Sequence, residues 1–152
     1  MYTNAANHQL ALVSLAYIRI TSIISMHILA IDFGTKRVGL AWADTTLGVV
    51  LPYGVIEKEG IKLKIKDVSE LIRKEKITKV VVGFPVGLDG KENKNTERVK
   101  KFVFELQKFV DAEIEYFDER FTSQAADAVG EGVSRDERAA MVILEGYLER
   151  KK

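Results

Sequence analysis

The chain of 152 residues contains no cysteine, two prolines and two histidines. Without cysteine there is no disulfide, no thiolate nucleophile and no Cys-ligated zinc. Such a composition suits a reducing compartment, and a cytoplasmic location is expected from it. His8 and His27 both lie near the N-terminus and form no H-x-x-x-H spacing. Any metal site must then be assembled from oxygen ligands, which favours Mg²⁺ or Mn²⁺ over zinc. Charge of one sign is also missing: 23 Lys and Arg against 22 Asp and Glu leave a net charge of +1. Bulk charge therefore offers no long-range pull on a polyanion, and a nucleic-acid partner would have to be held by local basic patches. No apolar run is long enough to predict a membrane span, because the stretch from Leu10 to Ile18 is short and meets Arg19. What is present is ordinary for a globular domain, 47% hydrophobic and 30% charged, at a length that makes one domain.

Residues 1–25 differ from the rest. Their only charged side chain is Arg19, and Met26 stands directly before the first strand-like run. They are read as an N-terminal extension outside a core of residues 26–152, the alternatives being an added helix or strand packed on that core, or a membrane tether. From Met26 the pattern sharpens. An apolar run from Ile28 to Ile31 delivers one carboxylate, Asp32, followed by a glycine turn, two cations (Lys36 and Arg37) and a second apolar run from Val38 to Ala43. This predicts a β-hairpin whose first strand ends in an acid. An acid there is costly unless it is paired, hydrogen-bonded or bound to a cation.

A third strand follows over 48–56, with Pro52 predicting an edge or a bulge. Ile61, Ile65, Val68, Leu71 and Ile72 recur at helical spacing. Lys79 to Gly83 is a strand buried on both faces, and the loop from Phe84 to Gly90 lies at its carboxyl end, where sites form in open α/β sheets. Asn93 or Asn95 caps a helix to about Phe109, with Val99, Phe102, Val103, Leu106 and either Phe109 or Val110 inward. The last strand, Ile114 to Phe117, runs into Asp118-Glu119-Arg120. A short helix is expected from Thr122 or Ser123 to Val129. Ser134 and Glu137 form a capping box for a final helix to about Glu149, with Asp136, Ala139 or Ala140, Ile143 and Tyr147 along one face. The sum is an α/β fold, a mixed five-stranded sheet with helices on both faces.

Three acidic points stand out: Asp32 ending the first strand, Asp118-Glu119 ending the last, and Asp136 opening the last helix. Singly, each has a bland reading as a turn or cap residue. If the first and last strands lie near one another, the acids converge, and their repulsion makes sense when cations are held between them.

These residues carry a resemblance. Asp32-Phe-Gly-Thr-Lys-Arg-Val-Gly-Leu-Ala41, Val81-Val-Gly-Phe-Pro85 with Asp89-Gly90, Asp118-Glu-Arg-Phe-Thr122, and Asp136-Glu-Arg-Ala-Ala-Met-Val-Ile-Leu144 with Tyr147-Leu148 resemble the four signature blocks of the YqgF (RuvX-type) family, over essentially all of residues 26–150. The resemblance implies a ribonuclease H-like fold and a metal-dependent nuclease, acting on four-way DNA junctions or maturing the 5′ end of pre-16S ribosomal RNA. It implies Asp32 and Asp136 as metal ligands, with Glu119 as the third acid and Asp118 as its substitute. Adjacent strand residues face opposite ways, so only one of that pair should reach the metal. Lys36, Arg37 and Arg120 are candidate phosphate contacts. Two departures from the family pattern are visible: Gly87 stands where an Asn is usual, and the segment before Asp136 is short.

Two basic clusters are further candidates, Lys58, Lys62, Lys64 and Lys66 in one and Lys91, Lys94, Arg98, Lys100 and Lys101 in the other. Lys94 and Arg98 are favoured because they follow the Pro85 loop. The competing readings are a non-catalytic binding module for nucleic acid or ribosome assembly, and a phosphate-binding lobe of the actin type. The latter needs a second lobe that this length does not hold. A monomer or a homodimer is compatible with the sequence, and no membrane partner is expected.

Overall fold

The computed structural model describes residues 3–24, 26–121 and 131–152. The chain begins with α1 (Thr3–Ile24) and then runs through β1 (His27–Phe33), β2 (Arg37–Asp44), β3 (Val49–Glu57), α2 (Ile61–Lys74), β4 (Lys79–Phe84), α3 (Lys94–Leu106) and β5 (Glu113–Asp118). A single 3₁₀ turn (Glu119–Phe121) and α4 (Arg135–Arg150) follow. The expected helix over 122–129 lies outside the described residues.

The five strands form one mixed sheet in the order β3-β2-β1-β4-β5. The hairpin β1–β2 and the pair β2–β3 are antiparallel, while β4 runs parallel to both β1 and β5. β3 is an edge strand, and Tyr53 is the extra residue of a bulge there, Leu40 facing Gly54 and Ala41 facing Pro52. The proline thus sits where a missing N–H is tolerated. The first and last strands are not paired: β4 lies between them, so acids at their ends must meet across it.

Strand parity sorts the core into two layers. Leu29, Ile31, Val38, Leu40, Val80 and Val82 face α2 and α3, where Ile65, Val68, Val99, Phe102 and Leu106 meet them. Ile28, Ala30, Ala41, Ala43, Val81 and Phe117 face α4, where Ala140, Ile143, Leu144 and Tyr147 complete the second layer. Each large side chain so buried contributes about 1.5–3 kcal/mol. Val110 packs against the first layer while Phe109 is 56% exposed, which decides between the two inward candidates at the end of α3.

The predicted caps form. The side chain of Asn93 accepts from the backbone N–H groups of Asn95 and Thr96, and Ser134 and Glu137 make a reciprocal capping box at the head of α4. α1 is helical but exposed along residues 5–20, with Leu10, Val13, Tyr17 and Ile20 more than half exposed. Among the described residues no helix is long and apolar enough to cross a membrane.

Candidate active site

The site lies at the end of β1, β4 and β5. Asp32 continues the parity of Ile28 and Ala30 and so turns to the α4 side of the sheet, and Glu119, the first residue of the 3₁₀ turn after β5, comes to the same side beside Gly83. Between their strands stands Gly83 of β4, and its missing side chain decides the geometry. A Cβ built on Gly83 would lie 2.2 Å from Glu119 Oε1 and 2.6 Å from the Ile143 Cδ1 atom. Glu119 therefore occupies the space that any other residue at 83 would fill, and reaches across β4 towards Asp32.

Asp136 arrives by a second close approach. Asp32 is paired with Gly39 across the hairpin. A Cβ on Gly39 would come within 2.0 Å of the backbone oxygen of Asp136. The first turn of α4 thus rests on bare β2 backbone directly opposite Asp32. Asp136 also receives Arg37, whose Nε lies 3.2 Å from its Oδ2. With Arg37 more than half exposed this is a surface pair, stabilising by no more than about 1 kcal/mol, so a cation or phosphate can displace it at small cost.

The electrostatics follow from this crowding. Burial raises the carboxyl of Asp32, and the charge of Asp136 raises it further. Burial pushes Glu119 up to about 7, with Asp32 and then Asp118 adding to the effect. Asp32 is thus the shared neighbour, coupled to Asp136 on one side and Glu119 on the other. Asp118 behaves oppositely. Arg120 grips it with Nη2 at 2.7 Å from Oδ2 and Nε at 3.1 Å from both oxygens, and the Arg120 backbone N–H donates to Oδ1 at 3.0 Å. These bonds hold the Asp118 carboxyl below its ordinary value. Arg120 in turn reaches the loop at Gly90, where a Cβ would meet its Nη1 at 3.2 Å.

Asp32 and Glu119 line a cavity of about 230 Å³ together with Phe33, Gly34, Thr35, Gly83, Pro85, Asn95 and Arg98. At about 30 Å³ of liquid volume per water, this is room for a hydrated cation and a phosphate oxygen or two. Asn95 and Arg98 are delivered by the head of α3, which is anchored through buried Thr96: its hydroxyl donates to the carbonyl of Pro85 at 2.7 Å. Arg98 donates from Nη1 to Asn95 at 3.2 Å. Lys94 is exposed and is not part of the cavity wall, and Lys36 is exposed on the hairpin turn.

Lys64, counted with a basic surface cluster in the sequence, is 2% exposed. Its Nζ donates to the carbonyls of Gly34 and Thr35 and lies 5.3 Å from the centre of the Phe33 ring. Burial lowers its affinity for a proton. It fastens the hairpin turn to α2 from beneath. The signal was available, since Lys64 lies three residues after Ile61 and one before Ile65, on the inward face.

Among the described residues no three acids or histidines are grouped closely enough to hold a metal ion together. The donor set that is brought together, two carboxylates with room for water, suits Mg²⁺, which is commonly bound through one or two carboxylates with several waters retained. The proton affinity of Asp32, raised by burial and by Asp136, and that of Glu119, raised by burial and then by Asp32 and Asp118, are what a cation would relieve.

The comparisons agree with this architecture. The profile of the family described as RuvX: Holliday junction resolvase matches residues 26–150. A protein of Maridesulfovibrio salexigens named as a candidate pre-16S rRNA nuclease is 38% identical over 134 residues, covering 82% of this chain and 99% of its own. One of the same name from Chlorobaculum tepidum is 37% identical over 134 residues, covering 80% and 92%. Among solved structures, Thermus thermophilus RuvC in complex with Holliday junction substrate superposes with a TM-score of 0.55 at 14% identity, covering 82% of this chain and 96% of that one. The Fowlpox virus resolvase in complex with junction DNA gives 0.54 at 12% identity, covering 83% and 99%. At such identities these likenesses establish the ribonuclease H-like fold. From the acid-tipped hairpin to the helix laid on Gly39, over four-fifths of its length, the chain belongs to the RuvX family of nucleases.

Proposed function

We propose that residues 26–152 form a metal-dependent phosphodiesterase acting on structured RNA, with the 5′ region of precursor 16S ribosomal RNA as substrate and residues 1–25 outside the catalytic domain. The observation that carries this reading is Glu119 folded over Gly83 towards Asp32, two partly buried carboxylates whose ionisation is opposed until a cation arrives. The names of relatives at 37–38% identity support the RNA. The likeness to resolvases of the same fold favours one second reading, cleavage of four-way DNA junctions.

Asp32 would be the central ligand, with Glu119 on one side and Asp136 on the other, the layout of a two-ion site. Mg²⁺ or Mn²⁺ bound there would activate water and stabilise the leaving oxygen. The chain's own groups do the rest. Arg98 donates to a phosphate oxygen from the cavity wall, and Lys36 approaches the backbone from the hairpin turn. Arg37 holds Asp136 until substrate enters. Arg120 acts through Asp118, fixing the end of β5 against the Asp89–Gly90 loop, while Asp118 stays outside the ligand set. Lys64 holds Gly34 and Thr35 in register with the acids. No protein nucleophile is required. A cytoplasmic location follows from the substrate, and a monomer suffices for a single cut, whereas paired cuts in a junction would call for a homodimer.

The test is cleavage of precursor 16S RNA and of a four-way DNA junction, with and without Mg²⁺, by the parent protein and by Asp32→Asn. Cleavage of the RNA that falls by at least about 10²-fold in the variant is expected, since even indirect support of a metal is worth 10–100-fold. No Mg²⁺-dependent cleavage of either substrate, or cleavage unchanged in the variant, would refute the reading and leave a non-catalytic binding protein.

A further inference from the structure

The cavity at the acids does not end there. Its wall residues Phe33, Thr35 and Arg98 also line a second hollow of about 260 Å³. Ile61 and Lys101 of that hollow line a third, of about 550 Å³, which ends at Phe109. The three hollows, neighbours through these shared wall residues, lie in series as a trough from Asp32 and Glu119 along the seam between α2 and α3.

The trough has a consistent chemistry. Its floor is apolar, with Ile61 and Ile65 below and Phe109 more than half exposed at the far end. Its rims are basic, with Lys62, Lys66 and Arg73 on the α2 side and Arg98 and Lys101 on the α3 side. Beyond the acid pair the one anion in the wall is Glu105, and Lys108 neutralises it at 3.1 Å. In a chain of net charge +1 this is a local concentration of one sign. The acids of α2, Asp67 and Glu70, are not in the trough wall, as they would be were these lysines only a solvated helix face with charges interspersed. Among the described residues Lys62, Lys66 and Lys101 enter no ion pair.

An apolar floor with an exposed aromatic ring and cations along both rims is what an unpaired polynucleotide needs, bases against the floor and phosphates at the rims. A duplex cannot lie in it, because packed helices leave a seam only about 8–10 Å between axes. An acidic peptide would meet the same charges. Continuity with the acid cavity favours the nucleic acid. We infer that the α2–α3 seam is a track for an unpaired segment of the same polynucleotide whose scissile bond lies at Asp32 and Glu119. The inference rests on the nuclease reading above and specifies its substrate class: a structured region with a single-stranded extension.

The test measures binding by fluorescence anisotropy in EDTA, on the full-length chain. The probes are an RNA hairpin with a blunt end and the same hairpin with an unpaired tail of about 12 nucleotides, within the usual span of single-strand sites. The tailed RNA should bind at least about tenfold more tightly. The triple variant Lys62→Glu, Lys66→Glu, Lys101→Glu should lose that advantage and flatten the salt dependence by about 2 in logarithmic slope, at roughly 0.7 per phosphate. Phe109→Ala should weaken tailed RNA about fivefold, the lower end for one stacked base. The three lysines are exposed, and a Lys→Gln triple variant with an unchanged melting curve guards against misfolding. A tail that adds nothing, or an advantage that survives both triple variants, overturns the track. So does a variant that loses only binding to polyglutamate, which would make the seam a peptide site. The two readings separate in the parent protein. Mg²⁺-dependent cleavage with no tail advantage removes the track and keeps the nuclease, while a tail advantage without cleavage keeps the track and removes the nuclease.

Discussion

The two faces of the sheet are built from different sizes of residue. Towards α2 and α3 the strands present Leu29, Ile31, Val38, Leu40, Val80 and Val82. Towards α4 the same strands present Ala30, Gly39, Ala41 and Gly83 amid a few larger groups. Large side chains hold helices away from a sheet and supply burial energy; small ones let backbone meet backbone. The acids gather on the small face for that reason. Asp118 and Glu119 sample both sides within one peptide unit. The first is solvated and clasped by Arg120, and the second is turned inward against a neighbouring carboxylate.

The largest test of this contrast is on activity. Glu119→Gln should reduce Mg²⁺-dependent cleavage by at least about 10²-fold, while Asp118→Asn, which loses only its clasp on Arg120, should change it no more than severalfold. Equal losses in a side-by-side kcat/KM measurement would mean that their different placement does not choose between them.

Stability comes next. At Gly39 the obstruction is the backbone oxygen of Asp136 at 2.0 Å, which cannot swing aside. Gly39→Ala should destabilise by about 3 kcal/mol in urea unfolding, the upper range for overpacking. At Gly83 the nearest obstruction is the end of the Glu119 side chain. Gly83→Ala should therefore destabilise by only about 1 kcal/mol, yet lose activity as Glu119→Gln does, because it evicts the same carboxylate.

The remaining expected effect is on pH dependence. Glu119 has an ordinary value of 4.5 and is held at about 7, so the folded state binds a proton that the unfolded chain has released between these limits. Its contribution is fully present below about 4.5 and is lost as pH rises through 7, on the order of 2–3 kcal/mol. Asp32 is shifted in the same direction. Metal-free protein should thus be more stable at pH 5 than at pH 8 in urea titrations. Glu119→Gln should reduce the difference, and Mg²⁺ should stabilise the parent more at pH 8 than at pH 5. Metal-free stability that rises over this range would contradict the burial of the pair.

Much of this was legible in the sequence. The hairpin, the capping box of α4, the cap of α3 and the four ordered blocks were visible because they are local patterns. The choice of Glu119 over Asp118 was a preference; in the fold Glu119 lies over Gly83 while Asp118 is clasped by Arg120. Strand order was not legible: nothing in the run Lys79 to Gly83 says that it inserts between the first and last strands, since neighbours in a sheet are chosen by tertiary packing. Lys64 was misread because a lysine among lysines looks like surface, although its inward position at helical spacing was there to be counted. The trough between α2 and α3 belongs to two segments separated in the chain by β4 and has no signature in either.

One contact has a kinetic consequence. Because the first turn of α4 sits on the bare backbone of Gly39, opposite Asp32, the backbone of Asp136 cannot drift from Asp32 without breaking that close contact. The separation of these two carboxylates is therefore set when the chain folds and does not have to be found anew at each encounter. Capture of an ion there should be limited by the shedding of its own water, not by rearrangement of the protein.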